Sequence, residues 1–141
     1  MFFGYYEHSL DNKGRVVIPS KIRNECGDII YIMKGFDGAL SLYKKEAFLK
    51  IIENSDEYSF NKKVYRDYLR TLLSTATELE IDKQGRVLIP VQLLNKYKIG
   101  KDVVIIGVGD HFELWDKKAY EEYESQIDKE FEANAEQLNG N

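Results

Sequence analysis

Leu10-Asp11-Asn12-Lys13-Gly14-Arg15-Val16-Val17-Ile18-Pro19 occurs twice in this chain, returning 71 positions later as Ile81-Asp82-Lys83-Gln84-Gly85-Arg86-Val87-Leu88-Ile89-Pro90. Asp, Gly, Arg, the first Val, Ile and Pro recur unchanged, and the other apolar positions exchange only apolar residues. In each copy Asp-x-x-Gly fits a type I turn, with Asp at the first corner and Gly at the fourth. The Asp carboxylate accepts from backbone N–H groups two residues on, and Gly takes the left-handed conformation that closes a hairpin with a bulge. Strands are therefore expected over 5–10 and 15–18 around the first turn. Pro19 and Pro90 follow apolar runs and suit the first position of a helix, where a missing N–H is not needed. Each copy reads strand, tight turn, strand, helix, with an arginine leaving the turn.

The likeness continues past the motif. A short helix over 20–26 should end at Gly27. Ile29-Ile30-Tyr31-Ile32-Met33 is a β-branched run expected to be a buried strand, Gly35-Phe36-Asp37-Gly38 a turn, and 39–43 the returning strand. Phe48, Leu49, Ile51 and Ile52 give 45–54 helical spacing. The second half repeats the order, with a helix over 90–97 ending near Gly100, strands over 103–106 and 112–115, and a turn over 107–110. Gly35, Leu42, Tyr43, Ala47 and Phe48 match Gly107, Leu114, Trp115, Ala119 and Tyr120 at an offset of 72, so one residue has been inserted between Pro90 and Gly107. This is a duplicated domain.

The expected organisation is a first unit over 1–55, a linking helix within 56–76, a second unit over 77–125, and an acidic helix and tail over 126–141. Phe60, Val64, Tyr68, Leu69, Leu72 and Leu73 mark the linking helix, and their stripe reads as core packing. Asp116 is placed to cap a last helix carrying Tyr120, Tyr123, Ile127 and Phe131 on one side. The polar tail after Ala135 is expected to fray. The fold class is β-rich α+β with two pseudo-symmetric units and peripheral helices.

Composition narrows the function. The 141 residues are 43% apolar, with ten Tyr and seven Phe to supply core mass. The sequence contains no signal-peptide pattern and no apolar run of membrane-spanning length, so a cytoplasmic protein is expected. Cys26, the single cysteine, excludes an intramolecular disulfide and reads as a small buried residue near a helix end. His8 and His111 are the only histidines, stand in no metal-ligand spacing, and read as surface or turn residues. Gly107-Val108-Gly109-Asp110 lies between strands rather than at a helix start, where a phosphate loop needs its N–H groups. Neither enzyme chemistry, a metal, a cofactor nor a small-molecule substrate is expected.

The net charge of −4 conceals a division. Residues 110–141 carry ten acidic and three basic side chains, while 1–109 carry 17 basic and 14 acidic. Over 8–23, Lys13, Arg15, Lys21 and Arg23 face Asp11 alone; over 82–98, Lys83, Arg86, Lys96 and Lys98 face Asp82 alone. Nucleic acids respond to such local patches more than to the net charge. The chain uses 15 Lys and only five Arg, yet both motif positions are Arg. A plain surface charge would be served by Lys, whereas Arg offers a planar fork for phosphate or for guanine O6 and N7. A neighbouring Asp can fix that fork, and Lys13 and Lys83 add sequence-independent attraction to phosphate.

At these residues the sequence resembles the MraZ proteins. Asp11-x-Lys13-Gly14-Arg15-x-x-Ile18-Pro19 and Asp82-x-Gln84-Gly85-Arg86-x-x-Ile89-Pro90 look like that family's paired DXXXR signatures, and Phe112-Glu113-Leu114-Trp115-Asp116 looks like its second closing strand. The resemblance spans about residues 1–125, with Phe48 and Tyr120 standing where the family commonly has Trp. It implies two AbrB/SpoVT-like swapped-hairpin units in one chain, assembled into a homo-oligomeric ring. It implies a bacterial transcriptional regulator, nucleoid-associated, that binds short direct repeats upstream of its own division and cell-wall operon, as a repressor or an activator. It places Arg15 and Arg86 at DNA-contacting positions, with Asp11, Asp82, Gly14, Gly85, Lys13 and Lys83 as the rest of the DNA-binding set. Two other readings stay open: an antitoxin-like interaction module, whose wrapping segment would have to lie beyond Asp128, and a purely structural ring.

Overall fold

A computed structural model describes residues 1–53 and 60–140. Its elements run in the order β1 (Tyr5–Ser9), β2 (Arg15–Val17), α1 (Ser20–Arg23), β3 (Ile29–Lys34), β4 (Leu40–Lys44), α2 (Lys45–Glu53), α3 (Lys63–Thr75), β5 (Thr77–Glu80), β6 (Arg86–Leu88), α4 (Val91–Lys96), β7 (Asp102–Gly107), β8 (Phe112–Asp116), α5 (Lys117–Lys129) and α6 (Phe131–Asn139). The end of the helix expected over 45–54 and the start of the linking stretch lie outside the described residues.

Two sheets carry the mixed α+β fold. Six strands form an antiparallel sheet in the order β1-β7-β8-β4-β3-β5, and β2 pairs with β6 in a separate ribbon. The local reading of the motif as a closed hairpin is corrected here. Backbone bonds close each turn, Gly14 N–H to the Asp11 carbonyl at 3.0 Å and Asp11 N–H to the Arg15 carbonyl at 2.9 Å, but the flanking strands then part. β1 pairs with β7 of the other half and β5 with β3 of the other half, while β2 and β6 pair across the repeat. The two halves have exchanged strands, as a swapped hairpin requires.

The register exposes the duplication as a pseudo-twofold. Val16 lies opposite Val87 in the ribbon, and Ser41 opposite Glu113 where β4 meets β8. Both are pairs of equivalent residues, since they are separated by 71 and 72 positions, so the axis passes between the partners of each pair.

Alternation along the strands builds the layers. Ile30, Ile32, Leu40, Leu42, Val103, Ile105, Phe112 and Leu114 turn one sheet face toward Val16, Ile18, Val87 and Ile89 of the ribbon, forming one buried cluster. Ile22 of α1 and Leu93 and Leu94 of α4 complete it. On the opposite face Val104, Trp115 and Ala39 are covered by Tyr120 and Tyr123 of α5, and Tyr31 stacks on Phe48 of α2 with centroids 4.4 Å apart. The acidic α5 therefore sits across the sheet from the ribbon.

Several expected bounds shift for identifiable reasons. α1 stops at Arg23 because Glu25 and Cys26 bond carbonyls three residues back, tightening the chain before Gly27. Pro19 and Pro90 are the caps that precede α1 and α4 rather than their first helical residues. Asp116 caps α5 as expected, accepting from Ala119 N–H at 3.1 Å, and it also takes Gly100 N–H at 2.9 Å. That last helix breaks at Glu130, so Phe131 opens α6 and stays exposed, and residues expected to fray are helical through Asn139. On α3 the apolar stripe packs inward only in part: Leu72 is buried, but Val64, Tyr68 and Leu73 are exposed. Cys26 is buried, donates to the Ile22 carbonyl at 3.2 Å, and burial pushes its thiol up to about 11. His111 lies in the turn between β7 and β8, as expected, with its ring stacked on Tyr43 at 4.5 Å and bonded to Asp110 at 2.7 Å.

Candidate nucleic-acid interface

Each turn is organised by its aspartate. Asp11 Oδ1 accepts the backbone N–H groups of Lys13 and Arg15, both at 2.9 Å, and Oδ2 accepts Arg15 Nε at 2.6 Å. The second copy repeats this contact for contact: Asp82 Oδ1 accepts Gln84 and Arg86 N–H at 2.9 Å, and Oδ2 accepts Arg86 Nε at 2.9 Å. Gly14 at φ +86° and Gly85 at φ +77° supply the left-handed residue that lets the chain re-enter a strand immediately afterwards. The Arg15 backbone N–H, more than its side chain, lowers the Asp11 carboxyl to about 2, and the equivalent N–H of Arg86 lowers that of Asp82.

An exposed ion pair of this kind contributes little stability alone. Its geometry has another consequence. Asp engages Nε of each guanidinium, which fixes one edge of the fork and leaves the Nη atoms outside that ion pair.

The ribbon brings the two turns together. Arg15 lies opposite Leu88 and Arg86 opposite Val17, so the turns sit at the two ends of a three-residue ladder. Two further bonds lock them, Ile18 N–H to the Gly85 carbonyl at 2.8 Å and Ile89 N–H to the Gly14 carbonyl at 3.0 Å. Paired residues, and residues two apart on a strand, share a face. Val16 and Val87 face the core at 1% exposure, which puts Arg15, Val17, Arg86 and Leu88 together on the outer face. Val17 and Leu88 are exposed there at 40% and 54%.

All eight sequence-selected residues thus lie on one ribbon and its turns. Lys13 and Lys83 are exposed but not equivalent: at the 71-residue offset Lys13 matches Gln84, and Lys83 matches Asn12. Sequence reasoning missed Val17 and Leu88. Their signal was present, since the strand alternation that buries Val16 and Val87 turns their neighbours outward.

Among the described residues no group of His, Cys, Asp and Glu could hold a metal ion, and no helix is long and apolar enough to cross a membrane.

Comparison with known proteins gives a consistent picture. The family described as "MraZ protein, putative antitoxin-like" matches the chain twice, over residues 1–71 and 72–141. A protein of Thermoanaerobacter pseudethanolicus named Transcriptional regulator MraZ is 45% identical over 98% of this chain and 96% of its own length. Proteins of the same name from Caldanaerobacter subterraneus and Finegoldia magna are 44% and 41% identical, over 98% and 99% of this chain and 96% and 97% of theirs.

Proposed function

The chain belongs to the MraZ family, and from that premise we propose that it is a sequence-specific, DNA-binding transcriptional regulator that reads DNA with the outer face of the β2–β6 ribbon. One observation carries the proposal: Arg15 and Arg86, each held by an aspartate through Nε alone, share an exposed face with Val17 and Leu88. A two-stranded ribbon fits the major groove, where Arg pairs with guanine O6 and N7 and an apolar side chain meets the thymine methyl. Lys13 and Lys83 supply phosphate attraction, and Gly14, Gly85, Asp11 and Asp82 hold the turns in shape.

The proposed division is two units, 1–55 and 77–125, joined by 56–76 and followed by the acidic 126–141; the doubled family match, over 1–71 and 72–141, supports two repeated units. One chain offers a single ribbon. Several chains in a ring would offer a row of them, so that repeated weak contacts select short direct repeats, such as those upstream of the protein's own division and cell-wall operon. Exposed Val64 and Tyr68, one turn apart on α3, are the surface that assembly would cover. The protein would then be cytoplasmic and nucleoid-associated. The antitoxin-like alternative has less support, because the stretch beyond Asp128 that would wrap a toxin is helical from Phe131 to Asn139.

The test is selection of bound duplexes from random DNA, followed by a salt titration on the winner. Enrichment of a repeated motif is expected, with log affinity falling against log salt by roughly 0.9 per phosphate neutralised. No enrichment, together with affinity indifferent to salt, would contradict the proposal.

A further inference from the structure

We propose that Arg23 is a third DNA-contacting arginine, one that clamps a backbone phosphate beside the second turn and makes the two turns of a chain chemically unequal. This rests on the ribbon reading above. At the 71-residue offset Arg23 is the counterpart of Leu94, so the two residues should occupy equivalent seats. They do. A Cβ placed on Gly14 would lie 3.7 Å from Leu94 Cδ1, whereas one on Gly85 would collide with Arg23 Nη1 and lie 2.7 Å from Arg23 Cζ. Where the first turn is covered by an apolar side chain, the second is covered by a guanidinium.

The charge around that guanidinium is the second observation. Arg23 is only partly buried, and among the described residues no hydrogen bond or ion pair engages its guanidinium. Gly85, which it covers, is the immediate neighbour of Arg86, and Lys83 is on the same turn. Asp82, the carboxylate of this turn, is already committed to two backbone N–H groups and to Arg86 Nε. Two guanidiniums held against one turn repel unless an anion lies between or beside them. Arg23 projects from α1 and not from the ribbon's outer face, so it flanks the strand pair that would enter the groove. The group beside a ribbon in the major groove is backbone phosphate, and a guanidinium suits its planar, two-pronged recognition. Packing over the turn also fixes the side chain in advance, which lowers the entropy lost on binding.

The experiment compares Arg23→Gln, Arg23→Lys and Arg23→Leu with the unaltered protein on the selected repeat and on a scrambled duplex, across a salt series. Thermal melting of each variant is recorded alongside. Arg23→Gln and Arg23→Leu are expected to weaken both duplexes alike, by about ten-fold for a lost charged hydrogen bond per site. They should also flatten the salt slope by about one for each phosphate released. Arg23→Lys should restore most of the slope, and a purely structural role would move the melting temperature instead. If Arg23→Gln keeps both affinity and slope while Arg15→Ala and Arg86→Ala lose binding, the inference fails and the ribbon reading stands. If the unaltered protein binds no DNA, both fall.

Discussion

At the residue scale, the Asp–Arg pairs set what pH and backbone strain should do. Asp11 is depressed to about 2, and Asp82 is depressed in the same direction. A depressed carboxyl stabilises the fold above the unfolded value of about 3.9, and that contribution is lost as pH falls through the folded value. NMR titration should therefore show the Asp11 carboxyl protonating near pH 2, with its turn losing order only there; a midpoint near 4 would mean the pair is not formed. Gly14→Ala and Gly85→Ala both place a Cβ at positive φ, a strain of about 1–3 kcal/mol that thermal melting should read. They should differ in binding. The new Cβ at Gly14 meets nothing closer than 3.5 Å, whereas at Gly85 it must displace Arg23, so Gly85→Ala is expected to lose more DNA affinity for a similar loss of stability. Equal binding losses would contradict the asymmetry. Turn chemistry of this kind was legible in the sequence because Asp-x-x-Gly-Arg bonds only within itself. The role of Arg23 was not, because among the cations it counted as local charge; the signal lay in the break of the repeat at Leu94.

At the element scale, the parity of its residues separates the ribbon's core side from the face proposed to read DNA. Ile18 and Ile89 are buried at 0% and 1% just past each strand, and truncating either to Ala should cost about 2–5 kcal/mol in a denaturant melt. Val17→Ser and Leu88→Ser change outward residues and should stay within roughly ±0.5 kcal/mol. Their expected effect is on sequence preference, read by repeating the selection with each variant; an unchanged selected motif would remove Val17 and Leu88 from the reading face. Strand periodicity located nearly every strand, since β-branched runs such as 29–33 report local burial. It could not tell which strand each would pair with. The turn residues bond identically whether β1 and β2 stay together or part, and it is the core, with Val16 against Val87, that decides for exchange. Resemblance to a known family supplied what periodicity could not.

At the scale of the whole molecule, a single chain leaves α3 with Val64 84% exposed and Tyr68, one turn on, also on the surface. β3 and β7, which in isolation would leave open edges, lie inside the six-stranded sheet, whose edges are β1 and β5, and the apolar side of α3 is the surface proposed for assembly. Light scattering should give a mass well above 16.4 kDa, and Val64→Asp should lower it without shifting the circular dichroism of the chain. A monomer at micromolar concentration would contradict assembly through this surface. α5 covers the sheet face opposite the ribbon, which keeps its carboxylates away from the proposed reading face.

The claim on which everything else depends is that Arg15 and Arg86 exist to touch DNA. Anisotropy titrations of the selected repeat and a scrambled duplex, with the unaltered protein, Arg15→Ala, Arg86→Ala and the double variant, test it most directly when paired with thermal melts. Each single change should reduce the preference for the repeat by about 1–3 kcal/mol per contact, and the double change should erase it, all at nearly constant melting temperature. Variants that unfold, with any protein remaining folded binding the repeat as before, would show that the two arginines are scaffold and that the ribbon does not read DNA.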